Sequence, residues 1–149
     1  FHCSRSLRTV LNKKIFQITY NKAFAQVIDF CSQRPTTWIN NEFKEAYQRL
    51  HTMGIAHSIE AWKDKQLVGG VYGVCFGGAF FAESMFYKVS NASKVALYYL
   101  VERLKQKKFR VLECQFMTDH LRSLGAIEIP DQEYIKCLKE ALELDIYFS

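Results

Sequence analysis

No Cys-x-x-Cys pair occurs in this chain, although it has five cysteines, at Cys3, Cys31, Cys75, Cys114 and Cys137. A zinc knuckle needs thiolates paired at close spacing, so a structural zinc site of that kind is not expected. Odd in number and scattered, the cysteines read as free thiols in a reducing cytosol. No apolar run approaches the length that spans a bilayer, and no signal peptide is visible. Internal repeats, low-complexity tracts and linkers are also missing, so residues 1–149 are expected to form one domain. Phe1 stands where an initiator Met would, and we expect further residues upstream.

What is present is enough for a real core: 49% hydrophobic residues, 15% aromatic and only 23% charged, a balance that speaks against disorder. The net charge is +5. Its basic residues cluster at Arg5, Arg8, Lys13 and Lys14, and again at Lys105, Lys107, Lys108 and Arg110. Each cluster is either a solvated face or an RNA contact.

Apolar spacing of i, i+3, i+4, i+7 predicts helices. One carries Phe24, Val27, Ile28 and Cys31 behind a cap at Asn21. A second starts near Asn40 or Asn41, aligns Phe43, Ala46, Tyr47 and Leu50, and stops at Gly54. A third covers about residues 92–106, with Leu97, Leu100, Val101 and Leu104 on one face. A fourth follows Pro130-Asp131 and aligns Tyr134, Leu138, Ala141 and Leu142. A short helix around Leu7, Val10 and Leu11 opens the chain. Strands are expected at residues 15–20, 57–63, 67–76, 79–86 and 109–117, with a last short one at 126–129. Those at 67–76 and 79–86 meet at Gly77–Gly78, a favoured hairpin dipeptide because both residues tolerate φ > 0. Three successive antiparallel strands, a helix and a further strand make the core order of the GNAT acyltransferase fold. The expected class is α+β, with a mixed, mostly antiparallel sheet flanked by helices.

Glu83 is the first candidate for chemistry. Strand alternation places it between Phe81 and Met85 on one face. Apolar neighbours strip a carboxylate of hydration and raise its pKa, so Glu83 can hold or deprotonate an attacking amine. The alternative is a strand-end Glu paired with a Lys. Glu113 and Gln115, two apart in the expected strand 109–117, share a face with Val111 and Met117. They either position an amine and a carbonyl oxygen or lie on a solvated sheet face. Cys114 has the opposite parity and is expected to face the core, which weighs against a Cys114–His120 thiol mechanism. His57 is a second lone histidine. Trp38, ahead of a helix, either stacks on a base or plugs the core. Ser90, Ser93 and Lys94 sit at a helix N-terminus that favours an anion, or simply caps itself. Acyl-CoA enzymes of this fold carry an R/Q-x-x-G-x-G/A loop there. This chain has Tyr87-Lys88-Val89-Ser90-Asn91-Ala92, without the glycines.

Together these stretches resemble the leucyl/phenylalanyl-tRNA–protein transferase family. The resemblance is carried by Thr37-Trp38-Ile39, Ala46-Tyr47-x-x-Leu50-His51-x-x-Gly54 and Ala56-His57-Ser58-Ile59-Glu60-x-Trp62. It continues through residues 67–74, Glu83-Ser84-Met85-Phe86, Asn91-Ala92-Ser93-Lys94, Cys114-Gln115 and Ser123-Leu124-Gly125-Ala126. It implies a bacterial, cytoplasmic enzyme of the N-end degradation route. Such an enzyme moves Leu or Phe from aminoacyl-tRNA to a protein with N-terminal Arg or Lys, using neither metal nor CoA. Glu83 and Gln115 then match catalytic residues, and Glu113 stands where the family usually has Asp. Val71, Phe80, Met85, Leu97 and Leu112 match the pocket for the aminoacyl side chain, with Val71 and Leu100 where Met and Phe can occur. Trp38, together with Ser93 and Lys94, falls to the adenosine and tRNA. The chain corresponds to the C-terminal, GNAT-like catalytic domain, and the family's N-terminal domain has no counterpart in it. The rivals are an acyl-CoA N-acyltransferase of the same fold and a non-catalytic RNA-binding module.

Overall fold

The computed structural model describes residues 1–33, 35 and 37–149. Its elements are α1 (Arg5–Lys13), β1 (Gln17–Tyr20), α2 (Phe24–Ser32), α3 (Asn41–Thr52), β2 (Ala56–Lys63), β3 (Gln66–Phe76), β4 (Ala79–Tyr87), α4 (Ala92–Gln106), β5 (Val111–Glu113), α5 (Asp119–Ser123) and α6 (Asp131–Leu142). The strands form one sheet in the order β1-β2-β3-β4-β5. The first three pairings are antiparallel, and β5 joins β4 in parallel through the α4 crossover. The expected α+β class with a mixed, mostly antiparallel sheet is what the chain adopts.

Alternation along β3 sends side chains into two apolar layers. Val71 joins Leu7, Phe80, Leu97 and Leu100 on the face covered by α1 and α4. Tyr72 joins Phe24, Val27, Ile28 and Phe86 on the face covered by α2 and α3. Gly69 allows α4 to lie close: a Cβ at Gly69 would stand 2.5 Å from the Cβ of Ala92. Burial of these side chains, at ~1.5–3 kcal/mol for each large aliphatic or aromatic group, holds both layers to the sheet.

Several expectations are corrected. Residues 126–129 form no strand, and a short helix, α5, precedes them. The last strand ends at Glu113, short of 117, because the chain turns at Gln115 with φ 64°. Only Gly77 of the hairpin pair has positive φ. Asn21 does not cap α2: the N-cap is Ala23, without a side-chain bond. The Asn21 carboxamide oxygen instead accepts from the Ser58 backbone N–H at 3.1 Å. Asn40 does cap α3, accepting from Phe43 N–H at 3.0 Å. Neither Ser90 nor Asn91 caps α4 through its side chain.

Candidate active site

The β3–β4 pairing runs Val71↔Met85 and Tyr72↔Ser84, then jumps to Gly73↔Ala82. Glu83 is therefore the extra residue of a β-bulge, which bends the strand and re-aims the side chain. Gly73 makes the bulge possible, since a Cβ there would collide with the carbonyl of Phe81. The bulge also shifts the alternation. Phe80, Ala82 and Met85 contact the α4-side layer, whereas Phe81 and Phe86 belong to the other. The expectation that Phe81 and Met85 flank Glu83 on one face is thus overturned.

Beside the bulge the sheet opens. Strand β5 pairs with β4 only from Ala79↔Val111 to Phe81↔Glu113, and beyond that point the two strands part. Gln115 bridges the gap: its amide Nε2 donates to Oε2 of Glu83 at 2.9 Å. The Tyr47 hydroxyl, from α3, hydrogen-bonds the same carboxylate. Burial raises the Glu83 pKa, the Gln115 and Tyr47 hydrogen bonds pull it back, and the nearby charge of Glu113 adds to the rise. The result is a half-buried carboxylate with a raised pKa and hydrogen bonds that orient it, features of a group able to handle a proton.

Glu83 and Gln115 share a cavity of about 790 Å³. Of the residues expected to hold an aminoacyl side chain, Val71, Met85 and Leu97 line it. Two do not. Phe80 is fully buried behind it, and Leu112 lines a neighbouring cavity. Ser93 and Lys94 form part of the wall, as do Ser90 and His120. Glu113 lies on the neighbouring cavity and accepts a 2.9 Å hydrogen bond from the Tyr134 hydroxyl. The strand does not place Glu113 and Gln115 side by side, because Gln115 has left it. Trp38 lines neither cavity; it is 48% exposed and meets Phe43 edge-on.

Cys114 is half-buried and lines both cavities rather than facing the core. Burial and the Glu113 charge raise its thiol pKa, the opposite of what a thiolate nucleophile requires. His57 is structural: its Nε2 lies 2.9 Å from Gly54 O and its Nδ1 beside the Asn21 carboxamide. Burial lowers its pKa to about 4.

Three tyrosines escaped the sequence reading. Tyr47 and Tyr134 looked like apolar-face positions of helices, and only tertiary packing aims their hydroxyls at Glu83 and Glu113. Tyr72 is fully buried, and its hydroxyl has no hydrogen-bond partner among the described residues. A buried carboxylate, Glu60, was also missed. It accepts from the Ser58 and Thr19 hydroxyls beneath β1 and holds the sheet edge. Among the described residues no group of three His, Cys, Asp or Glu is placed to hold a metal, and no helix is long and apolar enough to cross a membrane.

The mixed, mostly antiparallel five-stranded sheet flanked by helices is the GNAT fold. Solved structures of that fold superpose on it. An aminoglycoside acetyltransferase from an uncultured soil metagenomic sample aligns with TM-score 0.61 and 13% identity, covering 79% of this chain and 93% of its own. A GNAT family acetyltransferase from Brucella melitensis aligns with TM-score 0.55 and 14% identity, covering 76% and 92%. At such identity the likeness is one of fold. Sequence is more specific: residues 1–139 match the model of the leucyl/phenylalanyl-tRNA protein transferase family, to which this chain belongs. The family member of Zymomonas mobilis is 54% identical over 146 residues, 95% of this chain and 54% of its own. That of Rhizorhabdus wittichii is 53% identical, over 95% and 59%. That of Chlorobaculum tepidum is 51% identical, over 99% and 78%. The chain spans little more than half the length of the first two.

Proposed function

We propose that this chain is the catalytic, GNAT-like part of a bacterial, cytoplasmic aminoacyltransferase. It moves Leu or Phe from aminoacyl-tRNA to an acceptor protein whose first residue is Arg or Lys, which marks the acceptor for degradation. One observation carries the reading: Glu83, lifted out of the sheet by a bulge and gripped by Gln115, stands on the wall of a cavity that also offers Val71, Met85 and Leu97.

An aminoacyl ester is already activated, so positioning is most of the task. The apolar wall takes the Leu or Phe side chain and rejects polar ones, which would lose their hydrogen bonds there. The acceptor's neutral α-amine is held by the Glu83 carboxylate and attacks the ester carbonyl. The new N–C bond forms as the C–O bond to the ribose breaks. The amine gives up one proton to Glu83, which passes it to the departing ribose oxygen and returns to its carboxylate form. Gln115 orients the amine or donates to the oxyanion as it develops. Lys94 and Ser93, on the same wall, suit the phosphate and ribose of the tRNA end, and exposed Trp38 suits its adenine. Glu113 attracts the cationic acceptor side chain.

The acyl-CoA alternative finds less support. The segment before α4 lacks the glycine loop, and its amides are partly used: Lys88 N–H donates to Val68 O and Ala92 N–H to Val89 O. The Lys88 ammonium sits 3.3 Å above the Phe30 ring. The deciding experiment is transfer of labelled Leu from charged tRNA to a peptide beginning with Arg, against one beginning with Ala. Transfer to the first alone is expected. Transfer to neither, with acetyl-CoA bound instead, removes the reading. Salt-sensitive tRNA binding without transfer would leave an RNA-binding module.

A further inference from the structure

We propose that Tyr134 is a positioning residue for this transfer: its hydroxyl fixes the Glu113 carboxylate in the second cavity, where that carboxylate receives the cationic side chain of the acceptor's first residue. The inference rests on the transferase reading and extends it to the place where the acceptor is read.

The second cavity measures about 610 Å³. It adjoins the first across Cys114, Gln115 and Phe116, which line both. A polypeptide whose amine lies at Glu83 and Gln115 can therefore place its first side chain here. Leu97, Val101, Leu112 and Ile127 offer apolar wall to a methylene stem, and such stems pack on apolar surface while their charged heads keep polar partners. The Glu113 carboxylate stands at this wall. Glu128 and Asp131 add negative charge and Arg110 positive charge.

Among the described residues only Oε2 of Glu113 is engaged, by the Tyr134 hydroxyl at 2.9 Å. The other oxygen keeps its lone pairs for an ammonium or guanidinium. A glutamate side chain has three rotatable bonds, and ordering it costs rotamer entropy. A charge-assisted hydrogen bond from a fixed donor settles that order before the acceptor arrives. The donor is fixed because α6 is anchored at its far end. Gly78 N–H, in the hairpin turn, donates to Ala141 O at 2.6 Å, and Ala141 is fully buried. The same bond holds the Glu113 carboxylate on the second cavity.

The test is steady-state transfer of Leu by the purified protein to peptides beginning with Arg or Ala. Wild type, Tyr134→Phe, Glu113→Gln and the double variant are compared below their melting temperatures. Tyr134→Phe is expected to raise KM for the Arg peptide about tenfold, the loss of one hydrogen bond to a charged group. Its KM for charged tRNA and its kcat should stay near wild type. Glu113→Gln should raise the same KM, and adding Tyr134→Phe to it should change nothing more, because the two act as one unit. An unchanged Arg-over-Ala preference in Tyr134→Phe, or a fall in kcat with KM unmoved, overturns the inference. So does full additivity in the double variant. A wild type that transfers nothing removes the transferase reading and this inference together. A working wild type beside an unaffected Tyr134→Phe removes this inference alone.

Discussion

The amide of Gln115 donates to the carboxylate of Glu83 at 2.9 Å, across a gap where two neighbouring strands have stopped pairing. Both ends of that bond are backbone irregularities: Glu83 is the extra residue of a bulge, and Gln115 has φ 64°. The gap they bridge is the cavity in which we place the reaction.

If that bond belongs to the chemistry, Glu83→Ala and Gln115→Ala should each lower kcat by roughly 10²-fold or more, the usual loss for a catalytic base or oxyanion donor. Leu transfer to an Arg peptide measures it. Near-normal kcat in both variants would remove them from the mechanism. Cys114→Ala, by contrast, should leave turnover close to wild type.

The acid limb of the pH–rate profile should move in opposite directions for two changes. With Glu83 as the proton acceptor we propose, activity should fall as pH drops through its pKa, which burial raises. Gln115 and Tyr47 hold the anion by hydrogen bonds, so Tyr47→Phe should shift the limb to higher pH. Glu113 repels the anion, so Glu113→Gln should shift it to lower pH. Limbs that coincide with wild type in both variants would show that Glu83 is not the titrating group.

The choice between Leu and Phe should respond to Val71. Its side chain lines the cavity beside Met85 and Leu97. Val71→Met adds bulk there and should favour Leu over Phe by about tenfold or more in kcat/KM, the scale of discrimination that a methylene or so produces in an apolar pocket. Competition between the two charged tRNAs gives the ratio; an unmoved ratio would place the side chain elsewhere.

Stability should fall on the acid side because of His57. Its pKa is 6.5 in the open chain and about 4 in the fold, so between these values the unfolded state binds the extra proton. Stability from this group is complete above pH 6.5 and declines as pH drops towards 4. Tm measured across that window should decline in the wild type and decline less steeply in His57→Gln. Parallel slopes would assign the acid sensitivity to other groups.

Local rules made much of this molecule legible. Periodicity located α4 at its correct bounds, the long β3–β4 hairpin and the start of α3 near Asn40 or Asn41, because each depends on residues within a few positions of one another. The residue types that resemble the family drew attention to Glu83, Gln115 and Glu113 for the same reason: they stand in short, recognisable strings. Strand parity failed at the two places that matter for the site. A bulge at Glu83 reversed the faces of Phe81 and Met85, and a left-handed residue at 115 ended the last strand early. Neither irregularity has a local signature strong enough to override alternation.

The chain alone determined that a carboxylate would sit in an apolar hairpin strand ahead of an amphipathic helix, within an α+β fold of recognisable order. Tertiary structure decided what surrounds it. The register between β3 and β4 lifted Glu83 out of the sheet, the parting of β4 from β5 opened the cavity, and packing of α3 and α6 brought the Tyr47 and Tyr134 hydroxyls to two different carboxylates. Pairing register and helix docking are set by the sum of many distant apolar contacts, so no window of neighbouring residues contains them.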